Sequence, residues 1–178
     1  SIYAQSSDYN LAGQSSMAIQ GTSSLHDWEC AVEDFSVKSR IITNAASGEP
    51  LVEQFTFSAE VESIECGKRA MNKKTYGALK EKDHPSISFS VTEAIPASEI
   101  HDGKPFDLEV TGDLTIAGVT QSVSFPATGQ LLDNDRYQFD GSCELNMNDY
   151  NIDPPSAMFG SIRTGEDVKV SFSIVLSK

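Results

Sequence analysis

The sequence predicts an all-β domain: an antiparallel meander of about eight strands closed into a barrel. Three observations carry this. Apolar and polar residues alternate with period two along most of the chain. The links between most of these segments are short, as hairpins require. A two-sheet sandwich would satisfy the alternation equally, but short connections favour an up-and-down order, and closure removes both exposed edges. The 178 residues are ordinary for one domain.

The elements follow in order. Residues 1–7 read as a flexible N-terminal extension, so that residues 1–178 form a single domain. Within it, Ile2-Tyr3-Ala4 before Gln5 reads equally as the remnant of a cleaved export signal or as a disordered edge. Two less regular strands occupy about residues 9–20 and 27–40. Phe55, Phe57, Ala59 and Val61 then alternate with Thr56, Ser58, Glu60 and Glu62, and Ile87, Phe89 and Val91 alternate with serines and Thr92.

Between these two strands the pattern breaks. Met71, Thr75, Ala78 and Leu79, with Tyr76 nearby, fall at helical spacing in residues 66–83 and predict a short amphipathic helix ending before His84-Pro85. It carries Lys68, Arg69, Lys73, Lys74, Lys80 and Lys82, six of the chain's 13 bases.

The clearest hairpin follows. Phe106, Leu108, Val110, Gly112, Leu114 and Ile116 share one face, as do Val119, Gln121, Val123, Phe125 and Ala127. Ala117-Gly118 as a two-residue loop sets Ile116 opposite Val119, Thr115 opposite Thr120, Leu108 opposite Ala127 and Phe106 opposite Gly129. The last two strands place Tyr137, Phe139, Gly141, Cys143, Leu145 and Met147 on one face, then Val168, Val170, Phe172, Ile174 and Leu176. Asp133-Asn134-Asp135 and His101-Asp102-Gly103-Lys104 supply turn chemistry. Residues 151–163, with Pro154-Pro155 and Met158-Phe159, belong to no strand.

Composition excludes some functions. A net charge of −13 repels nucleic-acid phosphates, and no aromatic platform sits among the clustered bases. No stretch of about 18 apolar residues occurs that would make a membrane-crossing helix. His26, His84 and His101 lie in separate segments, and no His-x-His or Cys-x-x-Cys spacing, nucleophile elbow, P-loop or dinucleotide fingerprint is present. The sequence thus calls for no metal, cofactor or catalytic residue. His26-Asp27 is the one pair with acid–base chemistry, for which a structural part at a barrel end, shared with Trp28, is the simpler reading.

Three motifs place the chain in a family context. GTSSLHDWE (21–29), MNKKTYGALKEKDHPSISF (71–89) and VTGDLTIAGVTQSVSF (110–125) together resemble the YceI-like family, in order and spacing across nearly the whole chain. The resemblance implies a lipocalin-like eight-stranded antiparallel barrel with a short helix over one mouth. It implies export, so a periplasmic or secreted location. It also implies an isoprenoid-type lipid, a polyprenyl lipid or an isoprenoid quinone such as ubiquinone, or another long-chain amphiphile, bound in the interior.

The inner face therefore has two readings, a packed core or the wall of a lipid site, and the resemblance favours the second. The wall would comprise Trp28, Phe55, Phe57, Phe89, Leu114, Ile116, Phe125, Phe139 and Phe172. Met71, Tyr76 and Leu79 would cap it from the helix, and Met158 and Phe159 from the neighbouring loop, either as a lid over a ligand or as a plain seal. The basic helix is a solvated face, or it meets an anionic headgroup or, transiently, a membrane surface. In a meander Cys30 and Cys66 fall at neighbouring strand ends, which makes a disulfide between them plausible, while Cys143 reads as a buried thiol. Two rival functions remain: a packed barrel that binds a protein or glycan, and a small lipid-acting enzyme using His26 and Asp27. The oligomeric state stays open, a homodimer included.

Overall fold

The computed structural model describes residues 5–43, 50–96, 98, 100, 101, 103–133 and 135–178. Residues 1–4, Asp102 and Asn134, on which a terminus and two turns were expected, lie outside them.

Three of the barrel's staves are broken in the middle. The first is β1 (Gln5–Leu11) with β2 (Ser16–Ser23), the second β3 (Trp28–Val32) with β4 (Phe35–Thr43), and the third β5 (Pro50–Glu60) with β6 (Ile64–Glu65). Helix α1 (Arg69–Ala78) follows, then β7 (Ser86–Pro96), β8 (Phe106–Ile116), β9 (Val119–Asp133) and β10 (Arg136–Asn146). A two-residue strand β11 (Ser156–Ala157) precedes β12 (Ile162–Ser177). All ladders are antiparallel, each stave pairs with its sequence neighbour, and β12 closes the ring on β1 and β2. The result is an eight-stranded antiparallel up-and-down barrel with one short helix.

The breaks have local causes. Between β1 and β2, Val175 of β12 stitches both sides: Ala12 N–H donates to its carbonyl at 2.8 Å, and its own N–H donates to Ser15 Oγ at 2.9 Å. Gln5, Ser6 and Ser7, expected in a flexible extension, are instead the first residues of β1 and pair with Thr43, Ile42 and Ile41. They satisfy backbone groups of β4 that would otherwise stand unpaired.

The β8–β9 hairpin takes the register that period two and a two-residue loop dictate, with Ile116 opposite Val119, Thr115 opposite Thr120, Leu108 opposite Ala127 and Phe106 opposite Gly129. Ala117 and Gly118 have φ of 50° and 79°, the twin left-handed residues that match the twist of a hairpin. Gly129 serves the packing rather than the turn. A Cβ there would lie 2.5 Å from the Phe106 ring, so its absence lets that ring lie flat on the strand.

The barrel's two ends differ. At the end holding the termini, Tyr9, Ile41, Tyr137 and Leu176 are buried together, with the Tyr9 and Tyr137 rings edge to face at 5.4 Å. Phe106, Leu108, Val110 and Ala127 fill the adjoining interior. The opposite end carries α1 and the links β2–β3, β8–β9 and β10–β12.

Candidate functional site: an apolar cavity under the helix

Beneath α1 the barrel is hollow. The cavity has a volume of about 480 Å³, within the roughly 300–1,000 Å³ typical of small-molecule sites. Its floor is an aromatic ladder built by strand register: Phe125 of β9 lies 5.7 Å from Phe89 of β7 and 5.7 Å from Phe172 of β12, and Phe139 of β10 joins them. Phe55 and Phe57 of β5, and Leu114 and Ile116 of β8, form one wall, and Trp28 of β3 lines the rim. Trp28 is held there because its ring lies over Gly21, its partner across the strand pair, while its Nε1 donates to the Thr22 carbonyl at 3.0 Å. Met71 and Leu79 of the helix segment form the roof. These are predicted wall and cap residues, and the fold brings them to one void.

Three predicted cap residues lie elsewhere. Tyr76 does not face the cavity. Its hydroxyl sits 2.9 Å from both the Glu62 and Ile64 carbonyls, so the ring anchors α1 to the β5–β6 bend. Met158 and Phe159 point outward, 68% and 112% exposed. The reason is conformational: Met158, Phe159 and Gly160 all have positive φ (52°, 57° and 87°), which turns the chain away from the barrel. The segment expected to lack strands contains β11, paired with the start of β12 through Ser156–Arg163 and Ala157–Ile162.

Other wall residues escaped the sequence reading. Met17 and Ile19 of β2 and Tyr150 and Ile152 after β10 line the cavity, while Lys68 and Lys74, two of the bases expected to meet a headgroup, stand at its mouth. The 17/19 spacing carried the signal for the first pair; nothing in the sequence marks Tyr150 or Ile152, which arrive through a one-turn 3-10 helix at Met147–Tyr150. Lys74 Nζ reaches across the mouth to donate to the Ser156 carbonyl at 2.5 Å.

The polar chemistry near the cavity is sparse. The Tyr150 hydroxyl is buried with no hydrogen-bond partner among the described residues. Burial first, then Cys143 and Asp149 nearby, push its pKa up to about 12. The Cys143 thiol is also pushed up, by burial and then by Glu144. Such a thiol is a poor nucleophile. His26 stands at the mouth, but its Nδ1 meets the main-chain carbonyl of Asp27 at 2.6 Å rather than the carboxylate, so the two side chains do not form a coupled acid–base pair. Among the described residues no three His, Cys, Asp or Glu side chains converge as a metal centre requires.

Cys30 and Cys66 form a disulfide that closes 36 residues of chain and fixes the start of the helix segment to β3. Asn72 completes the anchor: its Oδ1 accepts from Cys66 N–H at 2.7 Å and its Nδ2 donates to Glu65 at 2.8 Å.

The family model for the YceI-like domain matches residues 9–176, nearly the whole barrel. The chain belongs to the YceI-like family. Solved structures similar to this YceI-like protein share its fold at low identity. Burkholderia cenocepacia BcnA aligns with a TM-score of 0.73 and 19% identity, covering 93% of this chain and 98% of that one. A polyisoprenoid binding domain from Saccharophagus degradans, implicated in plant cell wall breakdown, gives 0.71 and 13%, covering 97% and 99%. The Campylobacter jejuni YceI protein gives 0.64 and 15%, covering 84% of each chain. Among curated proteins none matches this YceI-like chain significantly.

Proposed function

We propose that this protein binds an isoprenoid-type lipid in the barrel cavity, a polyprenyl lipid or an isoprenoid quinone such as ubiquinone, and sequesters or carries it without chemical turnover. The observation that carries this reading is the void itself, an apolar chamber over an aromatic floor, with Lys68, Lys74 and His26 confined to its mouth. A barrel filled by its own side chains would have no such space. Transfer of a prenyl chain from water into it gains about 0.8 kcal/mol per buried CH₂, so the tail needs no polar partner, while a polar headgroup stays near the mouth. The polyisoprenoid binding neighbour supports the same ligand class. The Cys30–Cys66 disulfide supports a periplasmic or secreted setting, because such bonds persist in oxidising compartments.

Trp28 is the chain's only tryptophan and lines the cavity, so it reports occupancy. Titration with farnesol and with a short-chain ubiquinone should each change its emission saturably, and farnesol should displace the quinone. A quinone response that farnesol cannot compete would remove the prenyl chain as the recognised element.

A further inference from the structure

We propose that the mouth of the cavity is a docking surface for an anionic lipid bilayer, with Met158 and Phe159 as the residues that insert. The two side chains form the tip of a small hairpin whose arms are β11 and the start of β12, paired as Ala157 with Ile162 and Ser156 with Arg163. Both tip residues adopt the left-handed region, which L-residues with side chains disfavour, and both present their apolar groups to solvent. The tip is nonetheless built: Ser161 N–H donates to the Met158 carbonyl at 3.2 Å, Arg163 Nε to the Gly160 carbonyl at 3.1 Å and Thr164 N–H to the Pro155 carbonyl at 3.2 Å. A held fold that spends an aromatic and a methionine on solvent needs something apolar to receive them.

The surroundings identify the receiver. The hairpin's arms line the cavity, and Leu25, 66% exposed, lines it from the adjoining rim. The two rims are joined by Ser24 N–H to the Arg163 carbonyl (2.9 Å) and Arg163 N–H to Ser24 Oγ (3.0 Å). Lys74 ties α1 to the same hairpin through Ser156. Residues 68–80 and 154–163 contain no carboxylate but carry Lys68, Arg69, Lys73, Lys74, Lys80 and Arg163, on a chain of net charge −13. The turn at 23–28 adds one acid, Asp27. Bases around an exposed Phe–Met tip match the interface of an anionic membrane; Glu81, Asp83 and Asp153 border the two basic segments. Leu51, Ile95 and Leu132, the other exposed large apolar residues described, lie on β5, β7 and β9 away from this end. Docking here would set the cavity against the bilayer, so that a lipid enters without crossing water. That consequence rests on the lipid-binding reading; the docking does not.

The test is flotation of the intact protein with vesicles of phosphatidylcholine alone or with about a third phosphatidylglycerol. The wild type should float with the anionic vesicles only and be released as salt rises. Phe159→Ser should lower partitioning about tenfold, and Lys73→Glu should lower it as well, with melting temperature and farnesol response at Trp28 unchanged. Absence of flotation, or equal flotation with neutral vesicles, would overturn the proposal. So would a wild-type dimer that Phe159→Ser makes monomeric, which would assign the tip to a second copy of the chain. Flotation without farnesol binding would leave docking standing and remove the lipid-binding reading; farnesol binding without flotation would do the reverse.

Discussion

Single residues decide how the barrel can be both packed and hollow. Gly129 lies between Phe106, whose ring is 2.5 Å from where a Cβ would stand, and Phe139, at 3.1 Å. Gly129→Ala therefore forces the buried Phe106 ring to move and should cost about 1–3 kcal/mol in urea unfolding. Adding Phe106→Leu should recover part of that loss, giving a coupling that two independent sites would not show. Tyr150 poses the opposite case, a buried hydroxyl with no partner among the described residues. Tyr150→Phe removes a group that is desolvated for no return, so stability at neutral pH should hold or rise by up to about 1 kcal/mol. The pH dependence has a definite sign. In the unfolded chain this tyrosine ionises near its ordinary value of 10.0, whereas in the fold it holds its proton to about 12. Between those values the unfolded state binds fewer protons, so stability falls as pH rises through this interval. That part of the alkaline loss should be absent from Tyr150→Phe; parallel unfolding curves for the two proteins would refute the assignment. Residue patterns also explain what the sequence hid. Met158-Phe159 looks like a plug because both residues are large and apolar, and only their left-handed backbone, which no period reports, sends them outward. Tyr76 shares the apolar helix pattern, yet its hydroxyl finds two carbonyls on the β5–β6 bend.

At the scale of elements, α1 is a helix that its own sequence barely supports. It has ten residues, no side-chain N-cap, no acid in its first turn and no fully buried residue. A helix this short is marginal alone, so its position depends on tethers: the disulfide before it, Asn72, Tyr76, and Lys80 Nζ on the Asn151 carbonyl at 3.1 Å. Closing 36 residues implies that the bond contributes about 3–4 kcal/mol in the chain-entropy account. Reduction should lower the melting temperature and raise amide exchange first in α1, ahead of β8 and β9. Uniform exchange across all strands on reduction would show that the disulfide supports the whole barrel rather than its roof. The β8–β9 hairpin is the contrasting element. Its register was legible in full because strict alternation and a two-residue loop leave one pairing that keeps like faces together. The first three staves were less legible, since their breaks at residues 12–15, 33–34 and 61–63 interrupt the period on which such reading depends.

For the whole molecule, closure and patterning settle the architecture but not the content of the barrel. Period two says which side chains point inward; it is silent on whether their volumes meet. Here they meet at the end that buries Tyr9, Ile41, Tyr137 and Leu176, and fail to meet beneath α1, where a void of about 480 Å³ remains. The fold class was therefore open to reading from the chain, whereas the division into a sealed half and an open half needed coordinates. Val170 of β12 faces the void, paired with Cys143 and Ile19. Val170→Trp should fill space without displacing packed neighbours, leaving stability within about 1–2 kcal/mol of the parent while excluding a guest. The central claim is that a prenyl lipid occupies this space. The most direct test is mass spectrometry of organic extracts from the purified protein and from Val170→Trp, each also incubated with membrane lipids. A prenyl lipid or isoprenoid quinone recovered in stoichiometric amount from the parent and lost from Val170→Trp is the predicted result. Extracts free of prenyl lipid, or equal recovery from both proteins, would contradict it.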